Sequence, residues 1–307
     1  MKQRIGVLAA IATYLLYGGS LVFVKNVTAT IDPFTLLGWR FVVALVTLLV
    51  LMAVRVIKVR LTRAALRPLL LLAVFQPVVY YTAETLGVIR TTASETGLIL
   101  AAVPVGMLLA SLLILRHKPT RWQLIGIAVA LAGVIVTVVA KGLAADFNPL
   151  GYALLVVAVI AYALYTAFAD RYATAATDMD KTFVMVAAGT LVFGTIAVGE
   201  HAADGTLGTL AALPFANGAF AVAVAYLALG CTVGAFFLQN VAIGALGTTR
   251  FSTFVGLATV TTLATSAIFL RETLSPAQYI GGVIIIAGVY VANWRARVRT
   301  PTVSPGD

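Results

Sequence analysis

A long apolar segment occurs twice in this chain, and this repeat restricts the possible folds more than any other feature of the sequence. The first copy begins at Thr91 and reads TTASETGLILAAVPVGMLLASLLILRHKPTRWQLIGIAVALAGVIV; the second begins at Thr248 and reads TTRFSTFVGLATVTTLATSAIFLRETLSPAQYIGGVIIIAGVYV. When the two copies are aligned with one short gap, three pairs coincide: Gln123 with Gln278, Gly126 with Gly281, and Gly133 with Gly288. A shared pattern of this length indicates one structural unit used twice.

The composition shows what kind of unit is repeated. Hydrophobic residues make up 61% of the chain, charged residues only 10%, and the mean hydropathy is +1.04. Soluble domains carry about 25% charged residues. Apolar runs of about 20 residues recur throughout, and a helix of that length crosses the roughly 30 Å hydrocarbon core of a bilayer. The sequence therefore predicts an all-α integral membrane protein.

The apolar runs predict ten transmembrane helices. They are Gly6–Val27, Pro33–Val54, Pro68–Gly87, Thr92–Leu115, Trp122–Ala140, Leu150–Ala169, Phe183–Gly199, Phe215–Val241, Thr249–Leu270 and Ala277–Trp294. The first five-helix repeat occupies residues 1–141 and the second occupies residues 142–294. Residues 295–307 are basic and then rich in proline, threonine and serine, which predicts a disordered cytoplasmic tail.

The basic residues predict the orientation of these helices. With the amino terminus in the cytoplasm, the inner segments contain Lys2, Arg4, Arg55, Lys58, Arg60, Arg63, Arg67, Arg116, Lys118, Arg121, Arg171, Lys181, Arg250, Arg295, Arg297 and Arg299, and the outer segments contain Lys25, Arg90, Lys141 and Arg271. This distribution, 16 against 4 with Arg40 left inside a span, follows the positive-inside rule. We therefore expect a multi-pass inner-membrane protein with both termini in the cytoplasm. The net charge of +10 comes from basic residues in these loops, where they contact anionic lipid headgroups. Nucleic acid is therefore not an expected partner.

The number of helices in each repeat determines how the two halves are related. Five spans are an odd number, so the second repeat must cross the membrane in the opposite direction to the first. Inverted repeats of this kind are typical of secondary transporters, which bind substrate near the middle of the membrane between the two halves.

A set of short motifs lies at equivalent places in the two repeats. The second copy contains LRETLSPAQYIGG at Leu270–Gly282 and AGV at Ala287–Val289, and Leu115–Gly126 is a weaker first version. Arg40 in the second span and Pro104 in the fourth accompany them. These motifs resemble the EamA domain, which occurs in tandem in the drug/metabolite transporter superfamily. The resemblance implies a ten-helix inner-membrane carrier that exports amino acids or other small metabolites.

The third span contains a polar stripe. Gln76, Tyr80 and Glu84 recur every four residues and share one face of a helix. Such side chains are unfavourable against lipid, so they should face the bundle interior or a wet cavity. The stripe is interpreted as a cavity wall that hydrogen-bonds a polar solute, with interhelical hydrogen bonding as the alternative. Pro77 is expected to loosen the helix at this point.

Arg40, Glu84 and Glu95 all fall in the outer part of the first repeat. Arg40 could therefore pair with either glutamate. It then either binds a substrate carboxylate or gates the outer side, or it forms a structural ion pair. For Glu95 the alternative is capping of its own helix. Burial favours a protonated Glu84 whereas a nearby Arg40 favours the charged form, so proton coupling stays open.

Tyrosines in equivalent helices suggest further cavity residues. Tyr14 and Tyr17 lie deep in the first span, and Tyr162 lies in its counterpart in the second repeat. Aromatic hydroxyl groups suit a cavity for a solute with polar and apolar parts. The alternative is a place in the aromatic belt at the membrane interface.

The sequence contains no motif that indicates an enzyme. It lacks a G-x-x-x-x-G-K-[ST] phosphate loop, an H-E-x-x-H zinc pair and a G-x-S-x-G nucleophile turn. The single cysteine, Cys231, excludes an internal disulfide framework and a multi-cysteine metal site. We expect no catalytic residue, cofactor or metal.

These observations together predict a secondary transporter that exports small metabolites, amino acids or related compounds, by alternating access. Its expected partners are a small-molecule substrate, the lipid bilayer and, if transport is coupled, protons. A multidrug exporter, an uptake permease and a membrane interaction protein without transport remain alternatives. The sequence does not distinguish a monomer from a homodimer.

Overall fold

The computed structural model describes residues 2–114, 120–142, 147–172 and 176–293, and the regular structure within these ranges is helical. The helices are α1 (Lys2–Val27), α2 (Pro33–Ala53), α3 (Arg63–Arg90), α4 (Ala93–Ile114), α5 (Arg121–Gly142), α6 (Pro149–Arg171), α7 (Asp178–Ala203), α8 (Leu207–Ala216), α9 (Gly218–Leu246), α10 (Arg250–Leu270) and α11 (Pro276–Asn293). The tail predicted to be disordered, residues 295–307, lies outside the described residues.

The lengths of these helices fit a membrane protein. Within the described ranges, nine helices are long and apolar enough to cross a bilayer, namely all except α8 and α11. The helix α11 is apolar over Pro276–Ala292 but is shorter than the other nine. The all-helical membrane class predicted from composition is thus supported, whereas the described chain contains nine helices of spanning length instead of ten.

Local sequence signals account for several helix boundaries. Asp32 precedes Pro33 and accepts hydrogen bonds from the backbone N–H groups of Phe34 (2.7 Å) and Thr35 (3.1 Å). An acidic N-cap followed by proline is a favourable start for a helix, because it satisfies backbone donors that lack a partner in the first turn. The eighth predicted span, Phe215–Val241, is shifted. Its first residues belong to the separate short helix α8, and Asn217 caps α9 through the Phe220 N–H (3.0 Å).

The long helices α3 and α9 are irregular near their middle. In α3 the backbone of Gln76 is non-helical (φ −141°, ψ 117°) just before Pro77, which confirms the expectation that this proline disturbs the helix. In α9 the segment Tyr226–Ala235 is π-helical. π-Helical turns are rare and often occur at functional sites. Both irregular segments contain residues discussed below.

The two sequence halves interlock. The helices α1 and α2 of the first half pack against α9, α10 and α7 of the second, and α6 of the second half packs against α3 and α4 of the first. Each half therefore contributes walls to the space between them.

The helices α5 and α11 make the most intimate contact between the halves. They run antiparallel, since Gly126 meets Ala292 near one end and Gly133 meets Ile285 further along. A Cβ added to Gly133 would lie 2.6 Å from the Ile285 backbone nitrogen, and one added to Gly288 would lie 2.4 Å from that of Ala130. Glycine is required here because the two backbones touch.

Candidate functional site

A cavity lies between the two sequence halves, among α1, α3, α4, α6 and α10. Its empty space totals about 630 Å³, counting its opening. Its lining is mostly apolar with a few polar groups, which is typical of small-molecule sites. Its polar lining is concentrated on α1, α3, α6 and α10.

Six of the eight residues predicted to bind or gate the substrate line this cavity. They are Tyr14, Tyr17, Gln76, Tyr80, Glu84 and Tyr162. The other two, Arg40 and Glu95, lie elsewhere, as described below. Tyr81, Ser20 and Thr262 also line the cavity and are not among the predicted site residues. The structure thus places the third-span stripe and the tyrosines of both halves around one space, while their role in binding stays a prediction.

Glu84 is buried and, among the described residues, is the one ionisable carboxylate of the cavity lining. The Tyr80 hydroxyl donates a 2.6 Å hydrogen bond to Glu84 Oε1, as their spacing of four residues on one helix allows. Within the part of the chain that the structure describes, the carboxylate is bonded through this one oxygen. The second oxygen, Oε2, is therefore available to a solute.

Two other polar atoms of the lining are buried and lack a hydrogen-bond partner in the described chain. They are the hydroxyl of Tyr14 and the carbonyl oxygen Oε1 of Gln76. A buried polar group without a partner costs roughly 1–3 kcal/mol, so such groups are uncommon unless they serve a purpose. Their position in the cavity wall makes them candidate contacts for a bound molecule.

Gln239 of α9 links tyrosines from the two halves. Its side-chain oxygen accepts hydrogen bonds from the hydroxyls of Tyr17 (2.9 Å) and Tyr162 (3.1 Å). The pair is thereby held in place at the cavity wall. Sequence reasoning did not connect Gln239 with these tyrosines, because no spacing rule relates α9 to α1 or α6.

Arg40 lies behind the cavity wall. Its guanidinium donates to Thr232 Oγ1 through Nε (2.7 Å) and to the Tyr81 hydroxyl through a terminal nitrogen (3.0 Å), and its central carbon lies 4.2 Å from the centre of the Tyr81 ring. The predicted direct pairing of Arg40 with Glu84 or Glu95 is therefore wrong. The physical reason is that two neutral acceptors and an aromatic face, instead of a carboxylate, lie against the guanidinium.

Glu95 does not line the cavity but lies in the first turn of α4. It forms a reciprocal capping box with Thr92, in which Glu95 N–H bonds Thr92 Oγ1 (3.0 Å) and Thr92 N–H bonds the Glu95 carboxylate (3.1 Å). This geometry confirms the alternative that Glu95 caps its own helix. The opposite carboxylate oxygen accepts from Gln278 Nε2 of α11 (3.1 Å).

The same end of α4 is joined to the second half by further contacts. Glu272 accepts hydrogen bonds from the backbone N–H groups of Ala93 (2.9 Å) and Ser94 (2.8 Å), and the Ser94 and Ser266 hydroxyls share a bond of 2.7 Å. A carboxylate at a helix N-terminus is favourable because it meets unpaired N–H groups and the positive end of the helix dipole. We refer to Ser94, Glu95, Ser266, Glu272 and Gln278 as the interrepeat clamp. Sequence reasoning missed Glu272, although its place in the repeated motif was visible.

Comparisons with known proteins agree with this architecture. The model of the EamA-like transporter family matches residues 4–139 and 149–294, which are two copies in one chain. The transporter YcxC of Bacillus subtilis is 29% identical over 301 residues, covering 97% of this chain and 96% of that protein. YetK, another transporter of the same organism, is 26% identical over 297 residues, covering 95% and 88%.

Two further similarities are partial in sequence or confined to the fold. The inner membrane transporter YhbE of Escherichia coli is 33% identical over 144 residues, which is 44% of each chain. A crystal structure matches all of both chains with a TM-score of 0.64 at 18% identity. At that identity the likeness concerns the fold alone.

Proposed function

The chain belongs to the EamA-like transporter family, and from that premise we propose that it exports small metabolites, amino acids or related compounds, across the inner membrane by alternating access. It is a multi-pass membrane protein of a transporter family, and no catalytic activity is indicated by the family or its relatives. In the proposed arrangement both termini are cytoplasmic, and residues 1–141 and 142–294 form two inverted five-helix repeats.

The position of the cavity carries this proposal. Its lining combines residues from both copies of the family domain, with Tyr14 and Glu84 from the first and Tyr162 and Thr262 from the second. A site between two repeats is exposed to one side or the other when the repeats rock against each other. A solute bound there would therefore move across the membrane without passing through lipid.

The contact between α5 and α11 supports an inverted relationship of the repeats. Gly126 and Gly281 occupy equivalent positions in the aligned sequences, and so do Gly133 and Gly288. These equivalent glycines lie on the two helices that run antiparallel in close backbone contact. Antiparallel packing of equivalent helices is expected for repeats related by a two-fold axis in the membrane plane.

The experiment that tests export compares the culture media of four strains by metabolite profiling. They carry the wild type, Glu84→Gln, Glu200→Gln or an empty vector, with matched amounts of protein in the membrane. We expect one or a few compounds to accumulate with the wild type and with Glu200→Gln, because Glu200 is exposed and lies outside the cavity. Accumulation should fall to the vector level with Glu84→Gln.

Three other results would change the proposal. If no compound accumulates with the wild type, while a labelled metabolite enters these cells faster than empty-vector cells, the proposed direction is wrong and the protein is an uptake permease. Absence of flux in both directions would leave a membrane interaction protein. Equal export by Glu84→Gln would remove Glu84 from the transport mechanism. In vesicles, a Glu84→Gln variant that still exchanges solute but is no longer driven by an imposed proton gradient would show that Glu84 carries the coupling proton.

Alternating access predicts that the interrepeat clamp must open during transport. In a Cys231→Ala background, the double variant Ser94→Cys/Ser266→Cys places two thiols where hydroxyl oxygens are 2.7 Å apart, a position compatible with a disulfide. Oxidation should reduce flux to the level of protein-free vesicles, and reductant should restore it. Ser94→Cys alone, treated with the same oxidant, should transport at its untreated rate. Unchanged flux after verified cross-linking would show that this end of the molecule does not move.

A further inference from the structure

We propose that the cavity recognises its solute through an ammonium group, which contacts Glu84 among the tyrosines of the cavity wall. This proposal rests on the proposed transport function and names the chemical group that the transported solute must carry. It selects amines and amino acids, bound at their amino end, over metabolites whose charged groups are all carboxylates or phosphates.

The polar oxygens of the cavity lining that have no hydrogen-bond partner among the described residues can all act as acceptors. Glu84 Oε2 is an acceptor when the carboxylate is charged, and Gln76 Oε1 is an acceptor in every state. The unpartnered oxygen of Tyr14 can also accept. An ammonium group offers three donors and no acceptor, so it complements these oxygens. A solute carboxylate would be repelled by a charged Glu84 and could not bond Gln76 Oε1, so Tyr14 alone of the three could donate to it.

The aromatic lining favours the same group. The Tyr80 ring lies 5.0 Å from the Tyr81 ring and 5.5 Å from the Tyr162 ring, measured between centroids, and Tyr14 and Tyr17 line the same space. Aromatic faces attract organic cations, and clusters of such rings are a common way to bind substituted ammonium ions. The rings also supply apolar contact for the solute's carbon skeleton.

The positively charged side chains near the cavity are not accessible to a solute inside it. Arg40 is 1% exposed, and the Tyr81 ring and hydroxyl stand against its guanidinium. Lys25 donates to the carbonyl oxygens of Val88 (2.9 Å), Ile89 (3.3 Å) and Thr91 at the end of α3. Neither cation lines the cavity. Arg40 interacts electrostatically with Glu84 across the wall. Among the residues that the structure describes, no lysine or arginine lines the cavity to bind an anionic solute.

The test is a binding measurement that does not depend on transport. Purified full-length protein in detergent is titrated with three probes that share a 2-phenylethyl group and differ in the polar group attached to it: 2-phenylethylammonium, 2-phenylethanol and 3-phenylpropanoate. Binding is followed by calorimetry and by the shift of the thermal midpoint. We expect 2-phenylethylammonium to bind the wild type and to raise its midpoint with concentration, since a ligand that binds only the native state stabilises it. The other two probes should bind at least about tenfold more weakly.

Two variants locate the contact. Glu84→Gln should weaken 2-phenylethylammonium binding by at least about tenfold, because the isosteric amide keeps the Tyr80 bond but removes the charge. Tyr14→Phe keeps the ring and removes the unpartnered hydroxyl, and it should weaken binding by about threefold to tenfold. Glu200→Gln, which removes an exposed carboxylate outside the cavity, should bind like the wild type.

The failure of this proposal differs from the failure of the proposed function. Equal binding of all three probes, preference for 3-phenylpropanoate, no binding of any probe, or full binding by Glu84→Gln would each overturn ammonium recognition. Exported compounds without an amino group would overturn it as well, yet they would leave export intact. Binding of 2-phenylethylammonium without flux of any solute would instead retain the site and remove the transport function.

Discussion

Replacing Gly133 with leucine is expected to abolish the accumulation of folded protein, because the substitution forces α5 away from α11. A Cβ at this position would lie 2.6 Å from the Ile285 backbone nitrogen and 2.7 Å from the Gly281 carbonyl oxygen. Backbone atoms cannot move aside as the end of a flexible side chain can. Overpacking a tight contact typically costs about 1–3 kcal/mol, and more when the backbone itself must shift.

The measurement is the yield of monodisperse protein after membrane extraction, followed by its thermal midpoint. Gly199→Leu is the matched control, since a Cβ at Gly199 has no neighbour within 4 Å. We expect the control to purify like the wild type, and Gly133→Ala to be intermediate between the wild type and the leucine variant. A monodisperse Gly133→Leu protein with the wild-type midpoint would show that α5 and α11 do not touch in the membrane.

Arg40→Met is expected to destabilise the protein by about 2–5 kcal/mol, because it removes two buried hydrogen bonds of a charged group and leaves each buried partner unsatisfied at roughly 1–3 kcal/mol. The substitution leaves the Tyr81 hydroxyl and Thr232 Oγ1 without their bonds to the guanidinium. It also leaves the buried carboxylate of Glu84 without its compensating charge. Arg40→Lys should recover little, because an ammonium does not reproduce the flat, fixed donors of a guanidinium.

Unfolding of the purified variants in a denaturing detergent series measures this effect. Arg63→Met is the matched control, since Arg63 is exposed, and its stability should equal that of the wild type. The double variant Arg40→Met/Glu84→Gln should be more stable than Arg40→Met alone, because it removes the uncompensated charge. If Arg40→Met unfolds like the wild type, the guanidinium does not hold α2, α3 and α9 together. If the double variant is less stable than either single variant, Arg40 does not compensate Glu84.

Some contacts of the site could be predicted because they depend on spacing within one helix. Tyr80 and Glu84 are four residues apart, and their hydrogen bond follows from helix geometry. The capping box of Thr92 and Glu95 is also local, and the disturbance at Pro77 follows from the missing N–H of proline. Each of these depends on residues that are neighbours in the chain.

Other contacts could not be predicted because their partners are far apart in sequence. Arg40 bonds Thr232, which lies 192 residues away, and Glu272 caps a helix that begins near Ala93. No periodicity relates such positions, so charge alone suggested a glutamate as the partner of Arg40. The packing of α2 against α3 and α9 offers a phenol and a hydroxyl instead, and these satisfy the guanidinium without an ion pair.

The membrane class followed from the sequence, because the free energies of transferring side chains into lipid add along the chain, whatever its path in space. The duplicated unit followed from the repeated motifs. The polar stripe followed too, since one helix determines which of its residues share a face. The cavity itself was decided by tertiary structure. Only the interlocking of the two halves brings Tyr14 and Glu84 to Tyr162, places Gln239 between two tyrosines, and leaves Arg40 behind the wall.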